Sequence, residues 1–514
     1  MKHLSTVVGL LIVLNLAGAA APPARLSRPA LEDKIRGGWA GQMIGVAYGA
    51  PTEFRWRGQI IEDPIGWSPA QIENALHQDD MYVDMTFVRV LERIGLDATA
   101  AQFGEAFRDS QYDVFHANAA GRRNLLRGIP PPMSGHPKFN LHANDIDFQI
   151  EADFIGLMTP GLAQEATRYA DRVGHVMNYG DGVYGGMFVA GMYSAAFTEN
   201  DPRRIVQAGL AGIPAASQYA RVIRDVLQWT GEHPDDWKAV WRRIQDKWDK
   251  DDHCPKGALV PYNIDAKLNG AYVAMGLLYG KGDFARTMEV AARCGHDSDC
   301  NPSSAGGIVG VMLGYRRIPD QWKAGLPAIA DKKFDYTDYS FNEVTRVSLD
   351  LALRLIERNG GQVGASEVVI PVQQPQPPPL EQWSPGIPDR RMAARNKAWT
   401  WSRHWQSQSN AVSTVEAGAE ATLKFQGVAV AILGPCAPDG GQAEVMLDGE
   451  KAGVLDAYIG ERARENVLWH AYDLKPGDHT LILRTTGKAD PRSKGRLITI
   501  QTAISYRAPD RPQP

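Results

Sequence analysis

Cysteine, excess charge of either sign and long apolar runs are all scarce in this chain, and each shortage excludes something. Only four cysteines occur in 514 residues: Cys254, Cys294, Cys300 and Cys436. No two are spaced CxxC, which argues against a zinc ribbon. A looser set, His253, Cys254, Cys294 and His296, stays open as a zinc site, and Cys294 with Cys300 as a disulfide. Lys and Arg number 55 against 59 Asp and Glu, for a net charge of −4. That balance argues against a non-specific nucleic-acid binder. After the N-terminus no apolar run reaches 18 residues, so no membrane span is expected. Apolar residues at 44% and charged residues at 22% exclude a disordered or fibrous chain.

What is present divides the chain. Lys2 and His3, the apolar stretch Leu4–Leu16 and the small residues Ala17-Gly18-Ala19 read as an export signal over 1–19. A secreted or periplasmic protein is therefore expected. Between Pro371 and Pro388, seven of 18 residues are Pro, which predicts an extended linker, placed at 371–392. Before it, over 30–365, helical spacing dominates. Val83, Phe87, Val90 and Ile94 share one helix face, as do Leu349, Leu353 and Ile356; 204–230 and 235–249 are amphipathic. After it, over 395–510, short apolar runs separated by Asp-Gly and Pro-Gly turns predict a β-sandwich.

Glycine is abundant, at 51 residues, and patterned. Gly37, Gly41, Gly45 and Gly49 recur every fourth residue; so do Gly306, Gly310 and Gly314. Each glycine in a helix costs about 1 kcal/mol relative to Ala, so a stripe implies a gain from close backbone approach. Acids flank both stripes. Glu53 follows the first, and Asp297 and Asp299 precede the second. Asp79 and Asp80 open the helix carrying Val83. Capping explains one acid per helix, and Asn301-Pro302 reads as a cap and first helical position. Two acids at each end suit hard divalent cations.

These residues resemble the ADP-ribosylglycohydrolase family. Gly41-Gln42-Met43-Ile44-Gly45 through Glu53 is similar to its G-x-x-x-G-D-A-x-G-x-x-x-E opening. Gln78-Asp79-Asp80-Met81 stands at its Thr-Asp-Asp-Thr motif, and Gly295-His296-Asp297-Ser298-Asp299-Cys300-Asn301 at its G-G-D-x-D-[ST]-N motif. The resemblance implies an all-α orthogonal helix bundle that hydrolyses a bond to an anomeric carbon. It implies Mg²⁺ or Mn²⁺ held by Asp79, Asp80, Asp297 and Asp299, with Glu53 at the pocket as a gate or a general base; Glu53, Asp80 and Asp297 are the catalytic candidates. Gln78 and Cys300 replace hydroxyl ligands, and a neutral thiol is a poor ligand for Mg²⁺. One ion, a different ion or none are therefore all open. His77, Gln78 and His296 flank these motifs as candidate substrate contacts.

Two further runs are polar. Asn144 and Asp147 lie in an unusually acidic segment where the family has a substrate loop. His175, Tyr179, Asp181 and Tyr184 lie in a Gly- and Asn-rich loop before an apolar helix. They read either as a sugar-pocket lining or as capping and core residues. Trp56 and Trp67 could stack on a sugar or pack a loop. The stretch from Phe425 to Thr480 resembles the galactose-binding-like jelly-roll modules of secreted glycoside hydrolases. Trp399, Trp401, Trp405 and Trp469 are its candidate sugar platforms or core, and a purely docking module is the alternative. The expectation is an exported glycoside hydrolase acting on a small-molecule or oligosaccharide substrate, a furanoside or other neutral carbohydrate. A two-metal ADP-ribosyl hydrolase and an inactive sugar-binding protein are the rivals; the sequence leaves the oligomeric state open.

Overall fold

A computed structural model describes residues 22–250, 252–460 and 463–509. The predicted export signal lies outside them. Among the described residues no helix is long and apolar enough to cross a membrane.

The N-terminal part is a helical bundle. Helix α1 (Arg28–Gly49) starts where Ser27 Oγ accepts from Ala30 N at 3.2 Å, with Pro29 in its first turn. Helix α2 (Asp79–Ile94) places Asp79 and Asp80 in its first turn and stops at Gly95, whose φ is 107°. The helix Phe341–Arg358 opens on a Ser340/Glu343 capping box. The amphipathic stretch 204–230 is two helices, Pro202–Ala211 and Gln218–Glu232, broken where Gly212 and Pro214 intervene. Strand Ala24–Ser27 pairs antiparallel with Glu367–Ile370, joining the two ends of the bundle.

The glycine stripes pack against each other. Helix α1 lies along the helix Cys300–Leu313, which is buried on all sides. A β-carbon on Gly41, Gly45 or Gly49 would collide with the backbone of Gly306, Pro302 or Ser298. One on Gly306 would come within 2.7 Å of the Gly41 carbonyl oxygen. Gly314 differs from its stripe partners. It ends the helix with a φ of 77°, a backbone that disfavours a side chain.

The C-terminal part is a sandwich of antiparallel sheets. In the five-stranded sheet, Gly477–Thr485 lies between Gln442–Leu447 and Glu420–Gly427; Glu450–Asp456 and Trp399–Trp401 form its edges. In the four-stranded sheet, Ala429–Cys436 and Thr502–Arg507 are central, flanked by Ala463–Ala471 and Ile387–Ala393. Leu423, Val445 and Leu483 of one sheet share a core with Val430, Ile432 and Ala503 of the other. Trp399 and Trp405 are buried in that core, and Trp401 and Trp469 pack against it. The alternate residues Ala429, Ala431 and Leu433 face the helical part, packing with Leu141 and Ala258. Strand Ala429–Cys436 is therefore covered on both faces, which explains its unbroken apolar run.

Candidate active site

The two striped helices bring their acids to one place. The helix after Asp299 begins at Cys300, not at the predicted Asn301 cap, and Asn301 Nδ2 instead donates to Asn269 Oδ1 at 2.9 Å. Asp297, Asp299 and Cys300 offer three ligand atoms within 4.8 Å of one another. Cys300 Sγ donates to Asp80 Oδ2 at 3.4 Å, joining the start of this helix to the start of α2. Burial and then Asp299 and Glu53 raise Asp297 well above the ordinary carboxyl range. Burial also raises Asp299, to about 6, and it raises Asp79. Asp80 is pushed well up by burial, then by Asp79 and Asp299. Glu53 keeps solvent exposure, but desolvation of its carboxyl end, then Asp299 and Asp79, push its pKa up to about 8. Lys256 acts on it in the opposite sense.

A second layer of acids lies beneath. Asp84, one turn along α2 from Asp80, accepts from Gln42 Nε2 at 3.1 Å. Asp153, raised to about 7 by burial, faces Ser304 Oγ at 3.5 Å. Glu151 accepts from Asn118. The Oδ1 atoms of Asp80, Asp84, Asp153, Asp297 and Asp299 are all buried without a hydrogen-bond partner. Orphaned buried carboxylate oxygens of this kind are costly unless a cation or protons compensate them. An all-oxygen set suits a hard divalent cation, so these residues fit one.

No disulfide forms between Cys294 and Cys300, and all four cysteines are free thiols. Cys294 turns back on its own helix, to Val290 O at 3.2 Å, while Cys300 faces Asp80. For the same reason the set His253, Cys254, Cys294 and His296 does not converge. His296 Nε2 accepts from Gly58 N at 3.0 Å and lies 3.2 Å from Asp249, holding the loop after Glu53.

The other candidates have these partners. His77 pairs with Asp335 at the surface, and Gln78 Nε2 donates to Asn74. Asp147 caps the helix His116–Leu126, accepting from Ala117 N and Asn118 N. Trp67 packs at a tilt against Trp322, and the Trp56 carbonyl accepts from His296 N. His175, Tyr184 and Asn144 hold the Pro-rich segment. His175 Nε2 is 3.0 Å from Glu381, the Tyr184 hydroxyl accepts from Glu381 N, and Trp383 Nε1 donates to Asn144 Oδ1. Tyr179 packs edge-on against His136 and His175. Asp181 lines a cavity of about 230 Å³ together with Glu381 and Trp383, and burial raises its pKa to about 6.

This docking is expected to depend on pH. Burial opposes ionisation of both groups, but their hydrogen bond and charges raise the pKa of His175 and lower that of Glu381. The pair's contribution is present between the two ordinary values. It is lost as pH falls through the lowered Glu381 pKa or rises through the raised His175 pKa. Glu381→Gln is expected to speed broad-specificity proteolysis within 371–386 by about tenfold at neutral pH. Cleavage at the wild-type rate would contradict this.

Residues 27–360 match the ADP-ribosylglycohydrolase family model. The chain belongs to the ADP-ribosylglycohydrolase family. It is accordingly a hydrolase acting on glycosyl bonds, from a family that typically uses divalent metals. Among solved structures, an ADP-ribosylglycohydrolase-related protein complex is similar at 16% identity and a TM-score of 0.42, over 63% of this chain and 98% of its own. A two-domain esterase active on acetylated mannans has 11% identity and a TM-score of 0.21, over 32% of this chain and 46% of its own. The CBM36-1 domain of a multidomain xylanase from the Trinervitermes trinervoides hindgut metagenome has 15% identity and a TM-score of 0.18, over 22% and 94%. No curated protein matches.

Proposed function

We propose that this family member hydrolyses a neutral carbohydrate glycoside, a furanoside or a related sugar, after export from the cytoplasm. The observation that carries this reading is the lining: Asp80, Asp297, Asp299 and Glu53 come together with Asp79, burial raises all five, and neighbouring acids raise Glu53, Asp80, Asp297 and Asp299 further. Whatever negative charge bound cations leave uncompensated in this lining would oppose a pyrophosphate. A neutral sugar would instead donate its hydroxyls to carboxylate oxygens.

Asp79, Asp80, Asp297 and Asp299 would hold one or two cations, Mg²⁺ or Mn²⁺. When bound, such an ion supplies positive charge that acidifies water and offsets charge developing on oxygen. The protein's own residues do the rest. Asp80 and Asp297, both buried, fix the position of the acid cluster beneath the sugar. Glu53, at the rim, exchanges a proton at its carboxyl oxygens as water attacks the anomeric carbon and the bond to the leaving group breaks. Cys300 keeps Asp80 oriented through its thiol.

A substrate panel tests this. The purified mature protein is assayed on aryl furanosides, aryl pyranosides and ADP-ribosyl-arginine, with and without EDTA. At least one neutral glycoside should turn over at least tenfold faster than the ADP-ribosyl substrate. Preferential release of ADP-ribose would establish the rival family activity instead.

A further inference from the structure

Between the acid cluster and the β-sandwich, three segments bring four metal-ligating side chains together. Nδ1 of His116, at the start of the helix His116–Leu126, and Nδ1 of His142 lie 3.7 and 2.8 Å from Asp145 Oδ2. Cys254 Sγ lies 3.4 Å from His142 Nδ1. One ligand atom from each of the four residues lies within 4.8 Å of the others. Asp145 and Cys254 are buried, and the two imidazoles nearly so. The proposed hydrolysis uses none of them.

We propose that His116, His142, Asp145 and Cys254 form a structural zinc site. The spacing suits it. Bonds of 2.0–2.3 Å in a tetrahedron give ligand–ligand edges of about 3.3–3.6 Å. The His142–Cys254 separation of 3.4 Å falls in that range and the His116–Asp145 separation of 3.7 Å close to it. The 2.8 Å His142–Asp145 contact is a hydrogen bond that would lengthen as the ion replaces the shared proton.

The chemistry of the donors points the same way. One thiolate, two imidazoles and one carboxylate favour zinc over Mg²⁺, unlike the all-oxygen cluster nearby. A thiolate and a carboxylate cancel the charge of a dication, leaving a buried site neutral. Binding would release the Cys254 thiol proton to solvent and displace the proton shared by His142 Nδ1 and Asp145, to His142 Nε2 or to solvent. An outer partner is also in place: His116 Nε2 is 2.9 Å from the Tyr262 hydroxyl, leaving Nδ1 as the nitrogen that faces Asp145. Four protein ligands fill a tetrahedron, so the site would be closed and structural.

Its place in the fold gives it work to do. Ile146 N donates to Ile264 O at 2.9 Å, so the 142–145 and 252–264 segments are already neighbours. Leu141 and Ala258 on these segments form the floor on which Ala431 and Leu433 of the sandwich dock. On the other side, Tyr262 packs on Phe54, next to Glu53, with ring centroids 4.9 Å apart. A zinc ion would brace both contacts.

The test uses the full mature chain, stripped of metal and titrated with Zn²⁺ or with Co²⁺ as a spectroscopic stand-in. One equivalent of Zn²⁺ should bind, and Co²⁺ should give a near-ultraviolet thiolate charge-transfer band. The band should vanish in Cys254→Ala, its tetrahedral visible absorption should be lost in His142→Ala, and both should persist in Asp297→Asn and Cys300→Ser. Absence of a thiolate band in the wild type overturns the proposal, whatever the variants' folding. So does a band that survives Cys254→Ala but is lost in Cys300→Ser, because that metal would sit among the acids.

Discussion

Asp297→Asn should lower kcat/KM by about 10³-fold or more while leaving the protein folded and at least as heat-stable when metal-free. The two halves of this expectation have one cause. Asp297 is buried, and its pKa is pushed well up by that burial and by the neighbouring Asp299 and Glu53. Its Oδ1 has no partner. Without a cation, a neutral amide relieves this crowding, so thermal stability should hold or rise. With a cation or a sugar in place, the same change removes a charged contact aimed at the reacting centre, worth several kcal/mol in the transition state. Divalent ions should raise the melting temperature of the wild type and do so less for the variant. Activity within tenfold of wild type would remove Asp297 from the mechanism.

Gly45→Ala should cost more than about 3 kcal/mol and lower the melting temperature by at least ~4 °C. Added to α1, the β-carbon would run into the Pro302 carbonyl, which is backbone and cannot rotate away. The helices would have to separate, and Glu53, Asp297 and Asp299 would move with them. Activity is expected to fall together with stability. Gly231→Ala is the control. It lies in the helix Gln218–Glu232, where a β-carbon meets nothing within 4 Å. There the substitution should raise stability by about 0.5–1 kcal/mol. Equal effects at the two positions, read by thermal melts, would contradict the packing argument.

Much of the site was legible because it is written at helix ends. The four-residue glycine period places Gly41, Gly45 and Gly49 on one face, and the acids beside each stripe follow by chain continuity. The second acid layer was less visible. Asp84 lies four residues after Asp80, on the same face of α2, and that spacing was the available signal. Asp153 and Glu151 stood in a conspicuous acidic run, but nothing in the run says that both are buried. The polar loop at His175–Tyr184 was visible as a loop before a helix. Its partner, Glu381, lies about 200 residues away.

By itself the sequence determined the order of helical and β parts, the two striped helices and the acids at their ends. These are local matters, decided by periodicity, capping and turn residues within a few turns of chain. Tertiary structure alone decided which stripe meets which and that the Pro-rich segment docks on His175. It also decided that strand Ala429–Cys436 is covered on both faces, and that Cys254 meets His116 and His142 rather than Cys294. Those pairings join residues more than 100 positions apart, and only the packed core specifies which distant surfaces can close without leaving polar groups unpaired.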